Sequence, residues 1–218
     1  MTKVKYLILF LMIGIVFNAC VFKAKEKVVP YDESSLIDFK ETLFERFDPN
    51  LSVWRLTLWN GESHTPKLGG INALYVTSSY DEVERNYSVF NGTVLESVPS
   101  ITKIERDAPK YTKLLTDLNL DWIVSDFNEA ISQVKRDSTI DYQSFTLTEY
   151  VFNVSDDFRE QDPEEAKKTF GNLEHKVDVV FKIEALIERK ENGSIRSNRF
   201  KFSRKEGEKL ELDPSYFN

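Results

Sequence analysis

Two histidines, His64 and His175, are the only imidazoles in the 218-residue chain, and Cys20 is the only thiol. A Ser-His-acid site can draw its members from distant segments, so either histidine could in principle serve one. No Gly-x-Ser-x-Gly elbow marks out a serine. Metal chemistry has no stronger footing: His-Glu-x-x-His, paired cysteines and a calcium loop of EF-hand spacing are all missing. Asp156, Asp157, Glu160 and Asp162 form an acidic run that could hold calcium weakly, but a solvated loop with a helix cap accounts for it better. Asp117 and Asp121 share one helical face and face solvent on this reading. Glycoside hydrolysis needs two facing carboxylates, and a chain with 36 acidic residues offers candidates everywhere, so their presence decides nothing. Gly69-Gly70 lacks the Lys-Ser/Thr of a phosphate cradle, and no dinucleotide fingerprint occurs. The sequence therefore assigns no catalytic residue, no metal ligand and no cofactor.

The better lead is aromatic. Trp54, Trp59, Tyr75, Tyr80 and Tyr87 crowd the first half, next to a glycine-bounded polar loop, Gly61 to Gly70, that carries His64. Tyrosine and tryptophan give much contact area at little entropic cost and are favoured in binding patches. Trp54, Trp59, Tyr75 and His64 are thus the expected binding surface. The competing reading puts these rings into two buried layers, since a helix-covered sheet can bury aromatics on both faces. The formal charge of -7 opposes nucleic-acid binding. Arg196 to Lys201 mixes basic and aromatic residues in a way that loosely resembles a nucleic-acid surface, but on an acidic chain an edge-strand charge pattern that protects against aggregation is the stronger reading.

The N-terminus supplies an address. Lys3 and Lys5 precede an uncharged, mostly apolar run from Tyr6 to Phe17, too short for a confident membrane span, and Asn18, Ala19 and Cys20 close it. The stretch Val16-Phe17-Asn18-Ala19-Cys20 resembles the lipobox of bacterial lipoproteins, with a larger residue at Phe17 than the commonest pattern has. That resemblance covers only the first 20 residues. It implies cleavage before Cys20, a diacylglycerol on its sulfur, and a cell-envelope protein of 199 residues held to a membrane by lipid. An ordinary cleaved signal and an uncleaved anchor are the alternatives. Loss of Lys3 and Lys5 with the signal takes the charge to -9, which repels anionic headgroups, so lipid at Cys20 has to make the attachment. Residues 20–31 form a tether, basic at Lys23, Lys25 and Lys27.

The remainder must position whatever the body does. Leu36, Phe39, Leu43, Phe44 and Phe47 recur at helical spacing over Asp32 to Phe47, with Asp32 as cap and Asp48-Pro49 as stop. Strands are expected over Leu51–Trp59, Ile71–Thr77, Val83–Phe90 and Thr93–Val98, with Trp54, Leu56 and Leu58 on one face of the first. A short helix is expected from Ala108 to Leu115 and a longer one from Leu120 to Arg136, its stripe Leu120, Ile123, Phe127, Ile131 and Val134, with Asp126 off it. Tyr142–Val154 reads as a strand, Asp162–Gly171 as a small helix, and Val177–Ile187 as the cleanest alternation in the chain. Ile195–Ser203 pairs back, and Lys205–Asn218 is expected to be loosely held.

This order predicts an α+β fold, with antiparallel sheet packed against helices. It divides either into two tandem helix-plus-curved-sheet units, 32–104 and 105–218, or into one domain over 32–218. The architecture is similar, loosely, to cystatin-like, PepSY-like and NTF2-like folds. Three functional readings follow. One is a lipid-anchored envelope protein that binds a protein or small ligand without catalysis. The second is an anchored hydrolase of glycans or esters, and the third a structural spacer.

Overall fold

The computed structural model describes residues 26–79, 81–90, 92–103, 111–155, 176–190 and 194–214. The signal, Cys20, Tyr80, the acidic run at 156–162, the expected helix at 162–171 and His175 lie outside them.

The described chain runs α1 (Glu33–Arg46), β1 (Ser52–Asn60), β2 (Leu68–Val76), β3 (Asp81–Phe90), β4 (Thr93–Glu96), β5 (Ser100–Lys103), β6 (Lys113–Leu114), a 3-10 turn (Leu115–Asp117), α2 (Trp122–Asp137), β7 (Ser144–Ser155), β8 (Lys176–Arg189), β9 (Ile195–Arg204) and β10 (Glu211–Leu212). The strands form one sheet in the order β10-β9-β8-β7-β1-β2-β3-β4, with β5 on β3 and β6 on β1. Every pairing is antiparallel. The fold is thus α+β, a multi-stranded antiparallel sheet packed against two helices. The two halves of the chain meet where β1 pairs β7, Leu56 opposite Phe152.

Helix α1 starts where Asp32 and Ser35 form a reciprocal capping box: Ser35 N–H donates to Asp32 Oδ1 (2.8 Å) and Asp32 N–H to Ser35 Oγ (3.0 Å). Its stripe of Leu36, Phe39, Leu43 and Phe47 is buried. Phe47 meets Tyr87 of β3 edge to face, and the Tyr87 hydroxyl donates to the Arg46 carbonyl (3.2 Å), which satisfies one carbonyl of the last helical turn. Helix α2 buries Ile123, Phe127, Ala130 and Val134, and Lys40 bridges α1 to Asp121 (2.8 Å). Under the helices the core face of the sheet presents Val53, Leu56, Leu58, Ile71, Tyr150, Phe152, Val179, Phe181 and Phe202. Tyr150, Phe181 and Phe202 stack in series across three strands, centroids 5.3 Å apart at each step.

Several expectations need correction. Trp54 does not share the face of Leu56 and Leu58. The β1–β2 register slips between Val53 and Arg55, so Trp54 is an extra residue, and Val53 takes the core position. A second bulge at Thr148 switches the parity of β7: Phe145 and Leu147 point to the helices before it, Tyr150 and Phe152 after it. Residues 111–114 are not helical; Lys113 and Leu114 pair β1 instead. The described part of the tail, 205–214, is tied down, because β10 pairs β9 and Leu210 is buried. Asp126 lies on the buried stripe of α2 rather than off it, 1% exposed. There it accepts from the Tyr150 hydroxyl (2.6 Å), with Arg204 Nη1 3.0 Å from its other oxygen and the Arg204 guanidinium 4.3 Å from the Trp122 ring.

Candidate functional site

The other face of the sheet has no helix over it among the described residues. Register fixes what it displays. Lys201, Lys182, Glu149, Trp59, Gly70, Ser88 and Leu95 form one cross-strand row through β9, β8, β7, β1, β2, β3 and β4. Glu184 lies opposite Thr146 and Arg199, two residues along β8 from Lys182. The β7 bulge sits beside this row, and Thr148 Oγ1 donates across it to the Lys182 carbonyl (3.0 Å). Bulges of this kind re-aim side chains next to sites.

One loop lies over the open face. Residues 61–67 leave β1 after Asn60, whose side-chain amide donates to the Thr65 carbonyl and whose Oδ1 accepts from Glu62 N–H (2.6 Å). The loop neck is narrow: a Cβ on Gly69 would come within 2.6 Å of Gly61 Cα and 2.8 Å of Trp59 Cδ1. Glycine is needed at that close approach. On the far side, Val29 N–H donates to the Pro66 carbonyl (2.7 Å) and Leu68 N–H to the Lys27 carbonyl (2.9 Å), so the end of the tether grips the loop.

The loop tip reaches β8. Ser63 Oγ donates to Glu184 Oε2 (2.6 Å), and Ser197 Oγ donates to Oε1 (3.0 Å). His64 Nδ1 stands 3.4 Å from Oε2, close enough for charge attraction but not aligned as a hydrogen bond. Arg199 Nε is 3.4 Å from Oε1. His64 holds a left-handed backbone at φ 60°, rare for a side-chain-bearing residue though histidine is among the more tolerant. Glu184 is 3% exposed. Burial pushes its carboxyl up, but the hydrogen bonds from Ser63 and Ser197, with the charges of His64 and Arg199, outweigh that and hold it below the ordinary glutamate value.

Between loop and sheet is a cleft of about 330 Å³, lined by Trp59, Asn60, Ser63, Thr148, Glu149, Lys182, Glu184 and Arg199. Lys182 Nζ and Glu149 Oε2 pair across its floor at 2.6 Å. Trp59 forms its wall, with the indole lying over Gly69 and Gly70. A side chain on Gly70 would collide with that ring and with the Tyr87 carbonyl.

Of the residues expected at a binding surface, Trp59 and His64 meet here. Tyr75 does not join them; it is 9% exposed on the helix-covered face. Trp54 is half-buried at its bulge, against Arg55. Glu184, Glu149, Lys182 and Arg199 were not singled out from the sequence. Glu184 stands out only as a charge inside the alternation of β8, a pattern shared by every solvent-facing acid.

The chemistry available is limited by connectivity. In a Ser-His-acid triad the imidazole bridges hydroxyl and carboxylate. Here the carboxylate is the hub, and both Ser63 and His64 point to it. A glycosidase acid needs a carboxyl raised toward neutrality; Glu184 is shifted the other way. Among the described residues no group of three or more His, Cys, Asp or Glu is placed to hold a metal ion, and no helix is long and apolar enough to cross a membrane. Comparison with family models, with curated proteins and with solved structures finds no match.

Proposed function

We propose that the chain is a lipid-anchored protein of a bacterial cell envelope whose body binds a small polar ligand, without catalysis, in the open-face cleft. The observation that carries this reading is the pairing of Trp59 with hydrogen-bonding groups, Thr148, Glu149, Lys182 and Arg199, around one cleft. An indole offers a flat apolar surface, and the surrounding groups offer donors and acceptors. The opposite charges of Glu149 and Lys182 are already paired, so the cleft favours a ligand without large net charge. A sugar unit has this character: an apolar ring face and hydroxyls at its rim. At about 330 Å³ the cleft is at the small end of ligand sites, suited to one or two such units. The address rests on the lipobox-like stretch ending at Cys20.

The test is tryptophan fluorescence of the full chain in detergent, titrated with N-acetylglucosamine and its disaccharide. Saturable change that is absent in Trp59→Phe supports the reading. No change with any sugar, or a change that persists in Trp59→Phe, removes it. Release of cleaved sugar, followed by mass spectrometry, would move the assignment to the anchored hydrolase.

A further inference from the structure

The tether enters the body beside one tip of the sheet. Val29 is fully buried and bonded to the 61–67 loop, so the described chain emerges at Glu26 and Lys27. These two residues line a second groove together with Lys67, Val89, Phe90 and Gly92. The exit point of the tether is therefore against the β3–β4 hairpin.

That hairpin carries apolar side chains in solvent. Phe90 is 66% exposed and Leu95 53%. Phe90 pairs Thr93 and Leu95 pairs Ser88, so both side chains project from the open face as diagonal neighbours. Exposed large apolar groups that lie together mark a contact surface. Cys20 is seven residues from Lys27, a span of about 25 Å at full extension. A chain fixed to a bilayer at Cys20 cannot carry this hairpin far from the lipid.

We propose that the β3–β4 hairpin tip docks on the bilayer surface, with Phe90 and Leu95 entering the interface beside the lipid anchor. The inference rests on the lipid-anchor reading of Cys20 and adds an orientation to it. Lys27 at the same groove, with Lys23 and Lys25 of the tether, supplies basic groups for the headgroups, whereas Lys67 is already held by Glu26 (3.3 Å) and Glu62 (2.6 Å) of that groove. The 61–67 loop lies at the same end of the sheet, since Gly70 pairs Ser88 just inside the hairpin. The cleft is then turned toward the membrane surface rather than away from it.

A lipid-bearing Cys20 has no free thiol, so a second cysteine can be labelled alone. Phe90→Cys and Leu95→Cys, each carrying an environment-sensitive nitrobenzoxadiazole dye, are compared with Ser78→Cys in the full-length protein. Ser78 is exposed just beyond the opposite end of β3. The vesicles contain phosphatidylethanolamine and phosphatidylglycerol, with or without spin-labelled lipid. Blue-shifted emission and quenching by spin-labelled lipid at positions 90 and 95, and neither at 78, is the expected result. The mass of the N-terminal peptide reports the acyl group separately. Water-like emission at 90 and 95 on a lipidated chain overturns the docking and leaves the anchor standing. A chain without lipid on Cys20 sinks both.

Discussion

Ser63 Oγ and Glu184 Oε2, 121 residues apart in sequence, lie 2.6 Å apart and fasten the loop after β1 to the open face of β8. The contact uses a buried carboxylate that also accepts from Ser197. It sets the height of the cleft roof, because Ser63 lines the cleft while hydrogen-bonded to its floor.

Removing the carboxylate should free the loop. Glu184→Ala removes the charged acceptor of the Ser63 and Ser197 hydroxyls; Ser63 is exposed and Ser197 half-buried, so both regain water, and the cost is that of the lost bonds to a charged group, about 1.5–3 kcal/mol. The expected outcome is that loss in urea unfolding, with new proteolytic nicking confined to residues 61–67. Ser63→Ala removes one bond of several and should cost about 1 kcal/mol. Nicking spread evenly over the chain would refute the latch.

The left-handed backbone of His64 gives a separate reading. Glycine occupies φ 60° without the Cβ penalty, so His64→Gly should be about 1 kcal/mol more stable than His64→Ala. Both variants lose the imidazole equally, so the difference isolates the backbone. Equal unfolding midpoints would show that the loop relaxes to another conformation.

Trp59 and Gly70 are directly opposed across β1 and β2 and should be energetically coupled. Gly70→Ala drives a methyl into the indole and should cost about 1–3 kcal/mol by overpacking. In Trp59→Ala the same change should cost less, leaving the part due to the Tyr87 carbonyl. A double-mutant cycle measures the coupling, and strict additivity would mean that the ring does not rest on the glycine.

Glu184 and Asp126 should oppose each other in acid. The Glu184 carboxyl is lowered in the fold, so its contribution is complete above the ordinary glutamate value of 4.5 and is lost as pH falls through the lower folded value. Asp126 is raised, chiefly by burial, although Tyr150 and Arg204 pull it back. Its ionisation therefore opposes folding as pH rises above the ordinary aspartate value of 3.8, up to the raised folded value. Stability measured against pH should lose its low-pH fall in part in Glu184→Gln. In Asp126→Asn the fall should steepen, because the compensating gain is gone. Matching pH profiles for both variants would contradict the assignment.

The fold was legible where one periodicity ran unbroken. The α1 stripe and the alternation of Val177 to Ala185 needed only spacing, and both bury the faces that spacing picks out. Legibility stopped at the bulges. One extra residue at Trp54 or Thr148 reverses every later side chain, and nothing local in the sequence marks either insertion. Asp126 was misplaced because an isolated acid looks solvated; its partners Tyr150 and Arg204 are tertiary neighbours. The cleft was half visible. Trp59 and His64 showed themselves as an aromatic and an imidazole near a glycine-bounded loop, whereas Glu184 gains its role only when a loop from the other half of the chain covers it.

The junction of β1 with β7 has a kinetic consequence. Leu56 meets Phe152 only after nearly a hundred intervening residues have been made and ordered. Until β7 arrives, most of one long edge of β1 is unpaired, and the first half is a sheet fragment with an open hydrogen-bonding margin. Closing so long a loop is entropically costly, and non-local antiparallel sheets fold slowly. The chain should therefore stay loose through most of its synthesis and consolidate in one late step, when the second half docks onto β1.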